Sequence, residues 1–218
     1  MRFTASTLNP PCCDFEPAML ERAHRKLEGM PHLRSQVKLI EGDILKTEIK
    51  EQYALTLVTY NGLLHFHELE QQMTLLKRLR SITQPEGRLV LDLPNPADSF
   101  GAQETDALLL DRTFLDPESG HLFLDPESGH LVMQYSTSQL DRTTQKLHVT
   151  WIYDEVEADG TVKRTFAPVV WRYYFFAELR LLLNACGFTV DEVYGSTEFD
   201  PFEDGCERMI VLAKPLPQ

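Results

Sequence analysis

Apolar positions recur along this chain with two different periods, and the period changes from one segment to the next. Over 17–28, Ala18, Leu20, Ala23 and Leu27 fall near helical spacing, and Pro17 suits the first turn of a helix. VKLIEGDI (37–44) then alternates into a short strand ending at Gly42-Asp43. YALTLVTYNG (53–62) predicts a second, largely apolar strand that stops at Asn61-Gly62. Leu69, Met73, Leu76 and Leu79 mark a helix over 68–82, and RLVLDLPNP (88–96), after Gly87, predicts a third strand ended by prolines. Alternating helices and strands that are apolar on both faces are the signature of a parallel sheet flanked by helices. Each strand end carries an acid or amide: Asp14, Asp43, Asn61 and Asp92. In open parallel sheets, ligands bind at these carboxyl ends.

The middle of the chain has a different texture. HLVMQYSTSQLD (130–141), KLHVTWIYDEVE (146–157) and TVKRTFAPVVWRYYF (161–175) are rich in β-branched and aromatic residues, with turn signals DRTTQ and ADG between them. They predict an antiparallel β insert over about 108–175. FLDPESGHL occurs at 114–122 and again, unchanged, at 123–131; each copy holds a turn between short apolar flanks, as expected of a duplication that lengthens a surface loop. AELRLLLNACGF (177–188) predicts a helix stopped by Gly187, and TVDEVYG and RMIVLAKP predict two closing strands.

Composition narrows the partners. The 218 residues contain 43% hydrophobic and 25% charged residues, enough for a substantial core, and a formal net charge of -12 argues against binding nucleic acid phosphates. No apolar run reaches the roughly 18 residues of a membrane span, and MRFTASTLNPP lacks the apolar core of a secretory signal. Cys12, Cys13, Cys186 and Cys206 show no CxxC spacing, so no metal site is expected, and reduced thiols in a cytoplasmic protein are.

Five segments in order resemble the class I S-adenosylmethionine-dependent methyltransferases, of the bacterial small-molecule type. CDFEPAMLERAHRKL is similar to the family's second strand and the helix after it. EGDI resembles its adenine-side strand end, YNGLLHF its fourth strand and loop, and PEGRLVLDLPNP its fifth strand. ELRLLLNACGFTVDEVYG with RMIVLAKP resembles the last helix and closing hairpin. The resemblance implies an α/β, Rossmann-like methyltransferase sheet, mainly parallel with a terminal antiparallel strand, over 14–218. It also implies that something is missing. The family opens with a strand, a glycine-rich turn and a helix, whereas thirteen residues precede Asp14 and none is glycine. The expectation is a truncated or misread start, with 1–13 outside the fold, the first strand and helix absent, and sheet edges left open to self-association.

The resemblance further implies S-adenosyl-L-methionine as cofactor and a small-molecule acceptor. It assigns Asp14 to the ribose hydroxyls, with a helix cap as the competing role. Asp43 would accept from the adenine amino group, with Phe15 and Ile44 packing on the ring, and Asn61 and Gly62 would meet the cofactor's amino acid end; simple turns compete for these positions. His65, beside His67, is a candidate base without evident partners. Arg172 and Tyr174, on one face of the last insert strand, are candidates to line the acceptor pocket, with Trp171 and Tyr173 packing on the other. A binding protein that keeps the fold without catalysis is the alternative. An NAD-linked oxidoreductase is the third reading, with no motif beyond Asp14.

Overall fold

A computed structural model describes residues 11–96, 108–113, 131–157 and 159–217. The duplicated nonapeptide, apart from Leu131, lies outside the described residues. The chain forms two compact units, Met1–Gln52 and Tyr53–Gln218, rather than the single domain expected over 14–218.

In the first unit, β1 (Pro11–Asp14) pairs in parallel with β2 (Lys38–Glu41), with Asp14 opposite Glu41. The strand starts three residues ahead of the expected boundary at Asp14. Proline at the first position of a strand leaves no ladder donor missing. Helix α1 (Pro17–Glu28) connects the strands, followed by the single turn α2 (Pro31–Arg34). The Glu16 side chain caps α1 by accepting from the Ala18 amide at 3.3 Å, and Pro17 opens the helix as its spacing predicts. Leu20 is the one fully buried hydrophobic among the described residues of this unit. So small a core gives the unit little hydrophobic stabilisation of its own.

The second unit contains two sheets. In the first, β3 (Tyr53–Val58) runs parallel to β4 (Thr83–Pro94). Strand β10 (Arg208–Pro215) is antiparallel to β4, and β9 (Phe188–Tyr194) is antiparallel to β10, giving the order β3-β4-β10-β9. Helix α3 (Leu69–Ile82) contacts β3 and β4, while α4 (Phe176–Ala185) contacts α3 and β9. Period-2 alternation along β4 sends Leu89, Leu91 and Leu93 into the core. They are buried there along with Leu75, Leu76 and Leu79 of α3, Leu179 and Leu183 of α4, and Val211 of β10. Leu55 and Leu57 pair with Arg88 and Val90 on the other face and are 48% and 54% exposed. The expected continuous sheet is therefore divided in its hydrogen bonding. No strand among the described residues pairs with both β1 and β3.

The insert is the second sheet: β5 (Leu109–Thr113), β6 (Leu131–Asp141), β7 (Lys146–Val156) and β8 (Val162–Arg172), all antiparallel in sequence order. Leu140, Leu147, Val149 and Tyr173 form its buried cluster, with Trp151, Val169 and Trp171 packed around it. The two indoles meet edge to face at 5.2 Å. At the other end, Asp154 is buried and takes two hydrogen bonds from Arg164, at 2.6 and 2.7 Å.

Candidate functional site

The carboxyl ends of β1 and β2 lie side by side because the two strands run parallel. The Gly42 amide donates to the Asp14 carbonyl at 2.9 Å, and the Cys13 thiol donates to the Gly42 carbonyl at 3.4 Å. Burial pushes the Cys13 thiol up from its ordinary value, so it stays protonated. Gly42 is needed here on steric grounds, since a Cβ at this position would stand 2.3 Å from Thr47 Oγ1.

Asp14 does not cap α1, since Glu16 does. Its Oδ1 instead accepts from the Glu16 amide at 2.9 Å, fixing the carboxylate at the strand end. Asp43 accepts from the Leu45 amide at 2.8 Å and ion-pairs with Lys46 at 3.2 Å. Phe15 is 73% exposed beside them, and Ile44 is half-buried. The unit thus presents two short carboxylates, an aromatic ring and an aliphatic side chain at one end of a parallel pair. This donor set fits a nucleoside, which offers vicinal hydroxyls, an amino group and a flat ring.

In the second unit, β3 ends at Val58, and the chain turns before the 3₁₀ segment Gly62–His65. Tyr60 and Asn61 both adopt left-handed backbones, with φ of 52° and 64°. Asparagine tolerates this region; tyrosine does so at a cost of about 1–3 kcal/mol. Asp92, near the end of β4, holds the turn: its carbonyl accepts from the Asn61 amide at 3.1 Å and its Oδ2 from the Tyr60 amide at 3.2 Å. Arg208 completes the arrangement. Its guanidinium donates to Asp92 Oδ1 at 3.0 Å through Nε and to Asn61 Oδ1 at 3.0 Å through the terminal nitrogen, which also bonds Asp92. The strand-end residues Asn61 and Asp92 are thus brought together. Tyr60 and Arg208 were missed; the positive φ at Tyr60 has no sequence signal, and Arg208 comes 116 residues after Asp92.

His65 closes the 3₁₀ segment and is exposed. Burial, and secondarily the neighbouring His67, hold its pKa below the usual histidine value, so it is neutral at pH 7. His67 Nε2–H donates to the Val170 carbonyl of β8 at 2.8 Å, and the Tyr174 hydroxyl donates to the Phe66 carbonyl at 3.1 Å. The insert therefore meets the segment following the carboxyl end of β3. Arg172 and Tyr174 do share a side, with the guanidinium 5.1 Å from the ring centroid. Strand β8 ends at Arg172, whose charge is paired with Glu178, and Tyr174 is 2% exposed. Their groups are spent on fastening the insert to the sheet unit.

All four cysteines are free. Among the described residues, no three His, Cys, Asp or Glu side chains converge as metal ligands, and no helix is long and apolar enough to cross a membrane.

The family described as "Methyltransferase domain" matches residues 8–91. No curated protein matches the chain. Among solved structures, the CcbJ methyltransferase of Streptomyces caelestis is 17% identical, with a TM-score of 0.79 over 95% of this chain and 79% of that one. An S-adenosylmethionine-dependent methyltransferase of Clostridium acetobutylicum is 14% identical, with a TM-score of 0.75 over 96% and 76%. CalS10, an amino pentose methyltransferase of Micromonospora echinaspora solved with S-adenosylmethionine bound, is 16% identical, with a TM-score of 0.67 over 95% and 74%. The chain thus shares the fold of these methyltransferases, and its residues 8–91 match a methyltransferase domain.

Proposed function

We propose that the chain binds S-adenosyl-L-methionine and transfers its methyl group to a small-molecule acceptor. The observation that carries this is the pairing of Asp14 and Asp43 at the carboxyl ends of β1 and β2, a donor set fitted to a nucleoside. The acceptor class rests on neighbours such as CalS10, which acts on an amino pentose.

When bound, the cofactor supplies a methyl group activated by a sulfonium. Transfer forms one bond from an acceptor lone pair as the sulfur–methyl bond breaks, so it depends chiefly on positioning. Asp14 receives the ribose hydroxyls through the oxygen not engaged by Glu16. Asp43 accepts from the adenine amino group, and Phe15 and Ile44 flank the ring. Asn61 and Gly62 meet the amino acid end. His65, neutral at pH 7, takes the proton the acceptor releases. The second reading is a binding protein with the fold and no turnover. A cytoplasmic location goes with the proposal, because four free thiols suit a reducing compartment.

Calorimetric titration with S-adenosylmethionine tests it. Binding that Asp14→Ala abolishes supports the assignment; binding indifferent to Asp14→Ala and Asp43→Ala alike would refute it. Methyl transfer to a panel of amino sugars separates enzyme from binding protein.

A further inference from the structure

We propose that Asn61 is a site of covalent self-modification, deamidation to aspartate and isoaspartate, and that Arg208 holds the reaction back while the chain is folded. The reaction needs no cofactor, so it is independent of methyl transfer.

Asn61-Gly62 is the one Asn-Gly pair in the sequence. The Gly62 backbone nitrogen, once it has given its proton to solvent hydroxide, is a nucleophile for Asn61 Cγ. The N–Cγ bond forms, the Cγ–Nδ2 bond breaks, and ammonia leaves with a proton taken from water. Water then opens the five-membered succinimide at either carbonyl, giving aspartate or isoaspartate. The sum is amide plus water to carboxylate plus ammonium, with no oxidant or reductant. Glycine is the residue that favours this step, because it has no Cβ to hinder the approach.

The folded turn opposes the same step. With φ of 64° and ψ of 18° at Asn61, the Gly62 nitrogen nearly eclipses the Asn61 amide nitrogen and is turned away from Cβ, which carries Cγ. Attack requires ψ to rotate, and the planar peptide unit swings the Asn61 carbonyl and the Gly62 N–H together. Both are engaged. The Leu64 amide donates to the Asn61 carbonyl at 2.9 Å, and the Gly62 amide donates to the Thr59 carbonyl at 3.1 Å. The side chain is held as well: Arg208 donates to Asn61 Oδ1 at 3.0 Å, and Asp92 fixes the guanidinium from β4.

A guanidinium on Oδ1 has two opposed effects. It draws electrons from Cγ, which favours attack, and it fixes the side chain, which prevents attack. The geometry selects restraint, because polarising Cγ gains nothing while ψ keeps the nucleophile turned away. The left-handed backbone at Tyr60 and Asn61 is strained, so a turn released from Arg208 relaxes and frees ψ. The two products differ in effect. Isoaspartate lengthens the main chain by one carbon between the amides bonded to Asp92 and Thr59, so those bonds no longer fit together. Aspartate keeps the backbone and sets a second carboxylate against Arg208. Modification at residue 61 is therefore a record of how often this turn has opened.

The test incubates the full chain at mildly alkaline pH, folded and in urea. Peptide mass spectrometry, with the aspartate and isoaspartate forms separated, reads residue 61. Arg208→Met should speed modification of the folded chain by about tenfold, the effect of losing one hydrogen bond to a charged group, and should speed hydrogen exchange at the Gly62 amide. Arg208→Lys keeps the charge without the fork and should fall between the two. Amides of α4 should keep their protection in Arg208→Met; an equal loss there means general unfolding and overturns the assignment to Arg208. An unchanged rate overturns it too, and a slower rate does so by showing that the guanidinium activates Cγ. Should Arg208→Met fail to fold, Arg208→Lys takes its place. Equal rates at residue 61 in folded and urea-unfolded wild type overturn the whole proposal.

Discussion

Replacing Tyr174 with phenylalanine removes a single oxygen from the point where the insert is fastened to the segment that carries His65. The hydroxyl donates to the Phe66 carbonyl at 3.1 Å and lies 3.4 Å from the Leu63 carbonyl. The Phe66 carbonyl keeps a partner in the variant, because Gln72 Nε2 also donates to it at 2.9 Å. No acceptor there is orphaned, so the cost is one net hydrogen bond, about 0.5–1.5 kcal/mol. The ring packing and the Arg172 stack remain. Tyr174→Ala removes them too and should cost about 3–5 kcal/mol. For a chain of this size, 1 kcal/mol lowers Tm by roughly 2–4 °C. Burial, above all, pushes the Tyr174 phenol up from its ordinary value. The unfolded chain releases this proton near pH 10, by the reference value of about 10, while the folded chain still holds it. The hydroxyl's contribution is therefore complete below pH 10 and is lost as pH rises beyond it. Urea melts of wild type and Tyr174→Phe at pH 7 and pH 10–11 measure both effects, and the gap between the two proteins should narrow at the higher pH. A loss above about 3 kcal/mol for Tyr174→Phe, the size expected of core damage, would refute the single-bond account. So would a gap that is flat across pH 10.

Gly42→Ala brings a Cβ to 2.3 Å from Thr47 Oγ1 and should destabilise by about 1–3 kcal/mol, with Thr47→Ala in the same chain restoring most of it in thermal melts. Because burial, and then His67, lower the His65 pKa, NMR titration should place its midpoint below the reference value of about 6.5, and His67→Ala should move it back upward. We also propose self-association through β3, the end strand of its sheet. Sedimentation equilibrium should show a concentration-dependent dimer that Leu57→Lys weakens, and identical masses for both proteins would exclude that edge.

The pattern of apolar positions reached the elements and faltered at their ends, for reasons visible in particular residues. The helix expected over 68–82 is Leu69–Ile82, because Leu75, Leu76 and Leu79, with Gln72, bury one face, while Leu69 of the expected stripe stays exposed. The strand expected over 53–62 stops at Val58. Thr59 and Tyr60 have strand-like side chains, but Asp92 draws their backbone into a turn, and tertiary context overrides propensity. Strand β8 likewise ends at Arg172, three residues early. Tyr173 and Tyr174 carry high strand propensity and are instead spent packing the insert's cluster and reaching the Phe66 carbonyl. The loop expected around Gly87 is part of β4, which begins at Thr83 and accommodates the extra residues as a register shift against β3 between Tyr53 and Leu55.

The candidate site divides along the same line. Asp14, Asp43, Asn61 and Asp92 were legible because a strand-end carboxylate or amide is a local signal, readable from the few residues around it. What those groups do is decided by partners far away in sequence. Asp92 looked like one more strand end; its function as a clamp comes from Arg208, which no local pattern links to it. Arg172 and Tyr174 show the converse: an aromatic-basic run looks like a pocket wall, yet Glu178 and the Phe66 carbonyl absorb its polar groups. Sequence spacing singles out polar groups at strand ends, and their hydrogen bonds show what each of them holds in the fold. By that accounting Asp14 keeps a carboxylate oxygen beyond its contact with Glu16, and Tyr60 keeps an exposed ring held in place from behind.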